Sequence, residues 1–259
     1  MRKTSLAALL GAAFLAGAAS ATAAEVKVFV GGAMTEPMKE MAAGFTKQTG
    51  HTLNFVSDTT GALQKRLAAG EKADILVLSG PGMDAVEKEK MIAPGSRVDL
   101  SRALVGVGVK AGSNTMVDLS SPDAFKASLL KVRSIAYVSP AAGGTSGVYF
   151  DGLLKKMGIA DQMKAKTVFV TQGSEVASAI ADGKAEIGIT FTSEMIPNKG
   201  VKVAGALPAA INLPTNYVAA ISSSAANAEP ARAFIQTMRT AEGSKAIRAG
   251  GMEPLNALR

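Results

Sequence analysis

Apolar positions along this chain switch repeatedly between two periods. Val26 to Val30 alternates and is rich in β-branched residues, and it ends at Gly31-Gly32, which predicts a strand running into a turn. Met38, Met41, Ala42 and Phe45 then recur at helical spacing. Pro37 sits early, where its missing N–H costs nothing, and Thr49-Gly50 supplies a stop. Thr52 to Val56 predicts the next strand, Ala62 to Ala69 a helix ended by Gly70, and Ala73 to Leu78 a strand closing on Ser79-Gly80-Pro81-Gly82. Strands alternating with helices in this way predict an α/β protein with a parallel sheet.

The pattern then changes. Ser101 to Lys110 is a longer extended stretch containing Gly106 and Gly108, which suits a crossing from one lobe to another. Beyond it come a helix from Ser121-Pro122-Asp123 to near Lys131, a strand from Ser134 to Val138, and a helix from Val148 to Met157. The strand Thr167 to Thr171, the helix Glu175 to Ala181 and the strand ending Glu186 to Phe191 follow. Pro214 to Ile221 would return the chain to the first lobe, closed by helices over Pro230 to Arg239 and Ser244 to Ala249. The expected organisation is a leader over 1–23, one lobe from 24–103 plus 216–259, and a second from 104–215.

One kind of junction recurs: strand, Gly-rich or hydroxyl-rich turn, helix, at 31–37, 57–62, 139–148 and 171–176. The second of these, Ser57-Asp58-Thr59-Thr60-Gly61, offers hydroxyls, a carboxylate and backbone N–H groups at a helix start. Alone it would read as a helix cap. Open α/β sheets place ligands outside the carboxyl ends of their strands, where such turns gather, and uncapped helix starts hold anions through unpaired donors. Four such turns divided between two lobes predict a cleft lined by donors.

Composition narrows the function classes. Of 259 residues, 47% are hydrophobic, enough for a sizeable core. Arg2 and Lys3, the apolar Leu6 to Ala18 and the small Ala21-Thr22-Ala23 predict a secretory leader, and hence a periplasmic protein. The net charge is +7, and removing two leader cations from 28 Lys+Arg leaves 26 against 21 Asp+Glu, or +5. These charges are dispersed and not interleaved with aromatics, so no nucleic-acid partner is expected. Zero cysteines exclude disulfides and thiol chemistry, and a single histidine leaves no transition-metal set. No cofactor is expected either.

The residues Val26-Lys27-Val28-Phe29-Val30-Gly31-Gly32-Ala33-Met34 resemble the first strand and ligand loop of periplasmic molybdate-binding proteins. Asp58 to Leu63, Gly70 to Ile75, Ser139 to Gly158 and Gly183 to Ile189 are similar to the same family, in the same order along the mature chain. The resemblance implies a type II periplasmic binding fold: two α/β lobes, a two-segment hinge and a ligand between the lobes. It also implies ligand contacts from Ala33 and Met34 in the first loop, where the family usually carries a serine. Thr59 and Thr60 stand for the paired serines, with Gly61 letting the backbone approach closely; Thr145, Ser146 and Gly147 are the candidates from the second lobe, and Phe191 stands near an expected tyrosine. Losing hydroxyls at the first and last of these places argues against a small tetrahedral dianion. Met34 and Phe191 would add apolar surface suited to a carbon skeleton, so a small organic carboxylate is the expected ligand, with an oxyanion such as molybdate behind it. Two functions follow from the resemblance. One is a monomeric transport receptor serving an ABC transporter permease. The other is a cofactor-free isomerase of the divergent aconitate isomerase branch, moving a proton along an allyl unit.

Among individual residues, Asp58 is the candidate general base, with an N-cap or loop hydrogen bond as the plainer reading. Glu175 and Glu194 are candidate acids in the cleft, though both suit the first turn of a helix. Gly-Gly-Thr-Ser-Gly lacks the lysine of a phosphate loop. Tyr149 is read as lid or core, Lys65 and Arg66 as solvated, and His51 as a surface residue.

Overall fold

The computed structural model describes residues 23–255. The expected leader lies outside them except for Ala23. In the first lobe, β1 (Glu25–Gly31) runs into α1 (Gly32–Thr49), β2 (Thr52–Asp58) into α2 (Thr60–Ala68), and β3 (Ile75–Ser79) into α3 (Gly80–Lys88). β4 (Val98–Ala103) and β5 (Val105–Lys110) carry the chain across. The second lobe contains α4 (Pro122–Lys131), β6 (Ile135–Val138), α5 (Thr145–Lys156), α6 (Ala160–Lys164) and β7 (Thr167–Val170). It continues through α7 (Gly173–Ala181), β8 (Ile187–Phe191), α8 (Thr192–Met195) and β9 (Val201–Ala206). β10 (Thr215–Ile221), α9 (Ala228–Thr237), α10 (Ala241–Ala249) and the short β11 (Glu253–Pro254) complete the chain.

The strands form two sheets, ordered β11-β4-β10-β3-β1-β2 and β7-β6-β8-β5-β9. β1 lies parallel between β2 and β3, and β6 lies parallel between β7 and β8. Each sheet also has an antiparallel strand inserted between two of its other strands, β10 in the first and β5 in the second, and the short β11 pairs antiparallel with β4 at the first sheet's edge. The extended stretch at 101–110 is therefore two strands, one in each sheet, with Leu104 alone between them. β3 and β6 are buried along their whole length, covered on both faces, which is why they read as continuous apolar runs. Met34 and Met38 of α1 pack with Phe234 and Ile247 on one face of the first sheet. Leu63 and Met83 from α2 and α3 cover the other. Burying each such side chain is worth about 1.5–3 kcal/mol. Phe125 and Phe150 do the same for the second sheet, opposite Val176, Ile180 and Met195.

Six elements depart from the expected pattern. Gly80-Pro81-Gly82 opens α3 rather than a loop, with Pro81 in the first turn. Position 82 is glycine because a Cβ would fall 2.1 Å from the Thr60 methyl. α5 begins at Thr145, three residues before the expected Val148, and α6, α8, β9 and β11 fall where the sequence predicts no element. Among the described residues no helix is long and apolar enough to cross a membrane.

Candidate functional site

The parallel strands of both lobes end at a cavity of about 450 Å3 between them, within the range usual for small-molecule sites. Its floor comes from three helix starts. α1 begins at Gly32 with Gly31 as an N-cap that provides no side-chain acceptor, so its first N–H groups lack partners within the helix. α7 begins at Gly173 behind Gln172, which is capped reciprocally with Glu175. α8 begins behind Phe191 and carries Ser193 and Glu194 into the cavity wall. Thr35 and Ser57 share a hydroxyl hydrogen bond of 2.6 Å on the first-lobe side. At the mouth, Lys39 and Glu36 form an exposed pair at 3.0 Å.

Glu194 dominates the electrostatics. Its Oε2 accepts from Thr190 Oγ1 at 2.5 Å. Its carboxyl lies against two glycines on opposite sides of the cleft. A Cβ on Gly32 would come within 2.3 Å of Oε1, and one on Gly173 within 2.0 Å of Cδ. Protein surrounds the group, and its remaining accessible surface opens onto the cavity. This desolvation pushes its pKa up to about 7, against the Thr190 hydroxyl and the Phe191 backbone, which favour the charged form. Tyr217, from β10, is buried edge-on against the Phe191 ring at 5.8 Å between centroids. Burial and the Glu194 carboxylate hold its phenol well above the ordinary range. Ser193 lines the cavity, but its Oγ is itself buried and has no hydrogen-bond partner.

The two lobes also touch directly beside the cavity. Thr59 Oγ1 donates to the Ala142 carbonyl at 2.6 Å, and Gly61 N–H donates to the Gly143 carbonyl at 3.1 Å. A side chain at Gly61 would meet Gly143 Cα at 2.8 Å, so the approach is backbone on backbone. The lobes are thus latched shut on this side.

Of the individual residues singled out from the sequence, Asp58, Thr59 and Glu194 line the cavity. Asp58 accepts the Thr59 N–H at 2.8 Å and lies 3.6 Å from Arg66, so its carboxylate is engaged at the lobe edge. The others stand outside the lining. Ala33 and Met34 turn into the first-lobe core, where Met34 Sδ accepts from Ser101 Oγ at 2.9 Å. Thr60 is buried and accepts the Ser79 N–H at 3.2 Å. Thr145 and Gly147 belong to the first turn of α5. Gly147 is small because a Cβ there would fall 2.0 Å from the Val138 carbonyl. Ser146 faces Thr190 at 3.1 Å, behind the cavity wall. Phe191 is buried against Tyr217, so neither it nor Met34 gives the cavity the apolar surface expected of them. Tyr149 donates to the Ile211 carbonyl, on the return crossing. His51 Nδ1 accepts the Ala24 N–H at 3.1 Å. Glu175 turns back to Thr171 and caps α7. Thr35 lies in the junction at 31–37 that the sequence marks, whereas the pattern along the chain gave no sign of Lys39 or Ser193. Among the described residues no acidic or histidine cluster could hold a metal ion.

Comparison with known proteins agrees with this architecture. A family model described as bacterial extracellular solute-binding protein matches residues 26–253. An aconitate isomerase from Pseudomonas sp is 30% identical over 236 residues, covering 89% of this chain and 88% of its own. The molybdate-binding protein ModA of Azotobacter vinelandii is 29% identical over 252 residues, covering 93% and 94% respectively. The solved periplasmic molybdate-binding protein of Azotobacter vinelandii superposes with a TM-score of 0.73, at 22% identity, over 88% of this chain and 98% of its own. Two lobes, each with one inserted antiparallel strand, make this the type II periplasmic binding fold.

Proposed function

The chain belongs to the bacterial extracellular solute-binding protein family, and from that premise we propose that it is a periplasmic, cofactor-free isomerase of a small unsaturated carboxylate such as aconitate. The observation that carries this reading is Glu194: a carboxyl near half-ionised at neutral pH, in the wall of the interlobe cavity, at the amino ends of α1 and α7. A general base works best with a pKa near the operating pH. A receptor that only bound a carboxylate would gain nothing from an uncompensated carboxyl at the anion position.

The chemistry balances without a cofactor. A C–H bond of the methylene beside the substrate's double bond breaks and its proton passes to Glu194. The electron pair spreads over the allyl unit and its carboxylates. Glu194 then returns the proton to the far allyl carbon, and the double bond has moved. Donors at the starts of α1 and α7 are placed to stabilise carboxylate oxygens as this charge develops. Closure excludes water that would otherwise quench the carbanion. The similarity to the Pseudomonas aconitate isomerase supports the choice of substrate.

A second reading, a carboxylate receptor handing its ligand to an ABC transporter permease, is favoured by the latch across the cleft and by the similarity to ModA. One experiment separates the two. Purified protein is incubated with trans-aconitate and the cis isomer followed by chromatography, beside Glu194→Gln. Turnover lost in the variant supports the isomerase. Stoichiometric calorimetric binding with no turnover in the wild type replaces it with the receptor.

A further inference from the structure

Glu194 is fixed by a chain of two hydroxyls rather than by burial alone. Thr190 Oγ1 donates to Oε2 at 2.5 Å and lies 3.1 Å from Ser146 Oγ. A hydroxyl has one hydrogen and two lone pairs. With its hydrogen on the carboxylate, Thr190 must accept from Ser146, so both hydrogens point toward Glu194. Thr190 is 0% exposed and Ser146 3%, so these bonds face little competition from bulk water. The two carboxyl oxygens are therefore unequal. Oε2 is held, whereas Oε1 faces Gly32 across the cleft, where a Cβ would sit 2.3 Å away.

We propose that Ser146 and Thr190 are positioning residues that anchor Oε2 and leave Oε1, at the amino end of α1, as the atom that takes and returns the substrate proton. The proposal rests on the reading of Glu194 as the proton carrier. It has a mechanical merit: when Oε1 gains the proton, Oε2 becomes the carbonyl oxygen and still accepts from Thr190. Neither hydroxyl turns during the cycle, so no reorganisation is added to the barrier.

Other ionisable groups around Glu194 are few. β10 presents Tyr217, whose phenol is held protonated. α1 presents Glu36 paired with Lys39, and β2 presents Asp58 near Arg66. On α7, Glu175 turns away to Thr171, leaving Gln172 and Ser174 on the cavity wall. On α5, Asp151 is taken up by Lys155 and the Tyr137 hydroxyl. Beside the Phe191 backbone, the hydroxyl chain is thus the side-chain hydrogen-bonded contact through which the Glu194 titration can be altered.

The test compares Thr190→Val, Thr190→Ser and Ser146→Ala in the whole protein. The Glu194 carboxyl is followed by carbon-13 NMR titration, assigned by its absence in Glu194→Gln, and kcat/KM for trans-aconitate is measured against pH. Losing one hydrogen bond to the charged form should raise the Glu194 titration by about one pH unit or more in Thr190→Val. The rising limb of the rate profile should move with it, and kcat should fall with KM little changed. Thr190→Ser should restore both, and Ser146→Ala should shift the titration the same way by less. An unmoved titration in Thr190→Val, or a shift that serine does not reverse, overturns the positioning role. Absence of wild-type turnover with the titration pattern intact overturns the proton-carrier reading, and with it the role given to Oε1.

Discussion

Replacing Glu194 by glutamine should make the protein more stable in alkaline solution, an unusual outcome for a residue at the centre of a cleft. A carboxyl raised from 4.5 to about 7 is still protonated in the folded state over a range where the unfolded chain has released its proton. Stability is therefore undiminished below 4.5, falls as the pH climbs, and reaches its full penalty above about 7. At about 1.4 kcal/mol per pH unit the gap corresponds to an upper bound of about 3 kcal/mol. Water relaxing in the adjoining cavity reduces this, so about 1–3 kcal/mol is expected at pH 8, or roughly 3–10 °C in melting temperature for a chain of this size. Glutamine keeps an oxygen for the Thr190 hydroxyl and carries no charge at any pH. Denaturant unfolding of wild type and Glu194→Gln, each at pH 4 and pH 8, checks the sign and the size. The variant should gain at pH 8 and match the wild type at pH 4. Equal gains at both values, or a loss at pH 8, would refute the claim that desolvation of this one carboxyl sets its pKa.

Three further outcomes are expected. Asp58→Asn should keep turnover within a few-fold of wild type in the aconitate assay, because the Asp58 carboxylate is occupied by the Thr59 N–H and lies beside Arg66; collapse of activity would make it a second proton carrier. Thr59→Val removes the hydroxyl that reaches across to Ala142 at 2.6 Å and should weaken calorimetric binding of aconitate about 3–10-fold, while Thr59→Ser should not. Gly173→Ala would place a methyl 2.0 Å from Glu194 Cδ; displacement of the carboxyl should cost turnover on the order of 100-fold with an unchanged circular dichroism spectrum.

The fold was largely legible because its central strands are buried on both faces and its helices show one apolar face, and both patterns are local. Even the two-lobe organisation could be read, since the Gly-containing stretch at 101–110 is the crossing itself. What escaped was governed by close approach. Gly82 looks like a loop residue until the Thr60 methyl is seen against it, and Gly147 until α5 is seen lying on Val138. The same limit applies to the site. Glu175 and Glu194 are indistinguishable as first-turn acids. One turns back to cap its own helix while the other faces a glycine of the opposite lobe. The Thr59-Thr60-Gly61 turn carries ligand-loop chemistry in sequence, yet its hydroxyl and N–H are spent on Ala142 and Gly143. No pattern along the chain shows what lies opposite.

Only Leu104 separates β4 from β5, and the return crossing is stitched to the same point. Asn212 accepts the Val105 N–H at 3.3 Å and donates to the Val105 carbonyl at 2.9 Å. Two crossings tied together at one residue leave the lobes very little slack. Relative motion is confined to a few backbone torsions, so opening and closing follow nearly a single coordinate, like a door on one pin. Such a joint returns the halves to the same register on every stroke. Separating the halves then means breaking the latch at Thr59 and Gly61 and the bond from the Thr192 hydroxyl to the Gly251 carbonyl, with little added cost for finding the closed geometry again.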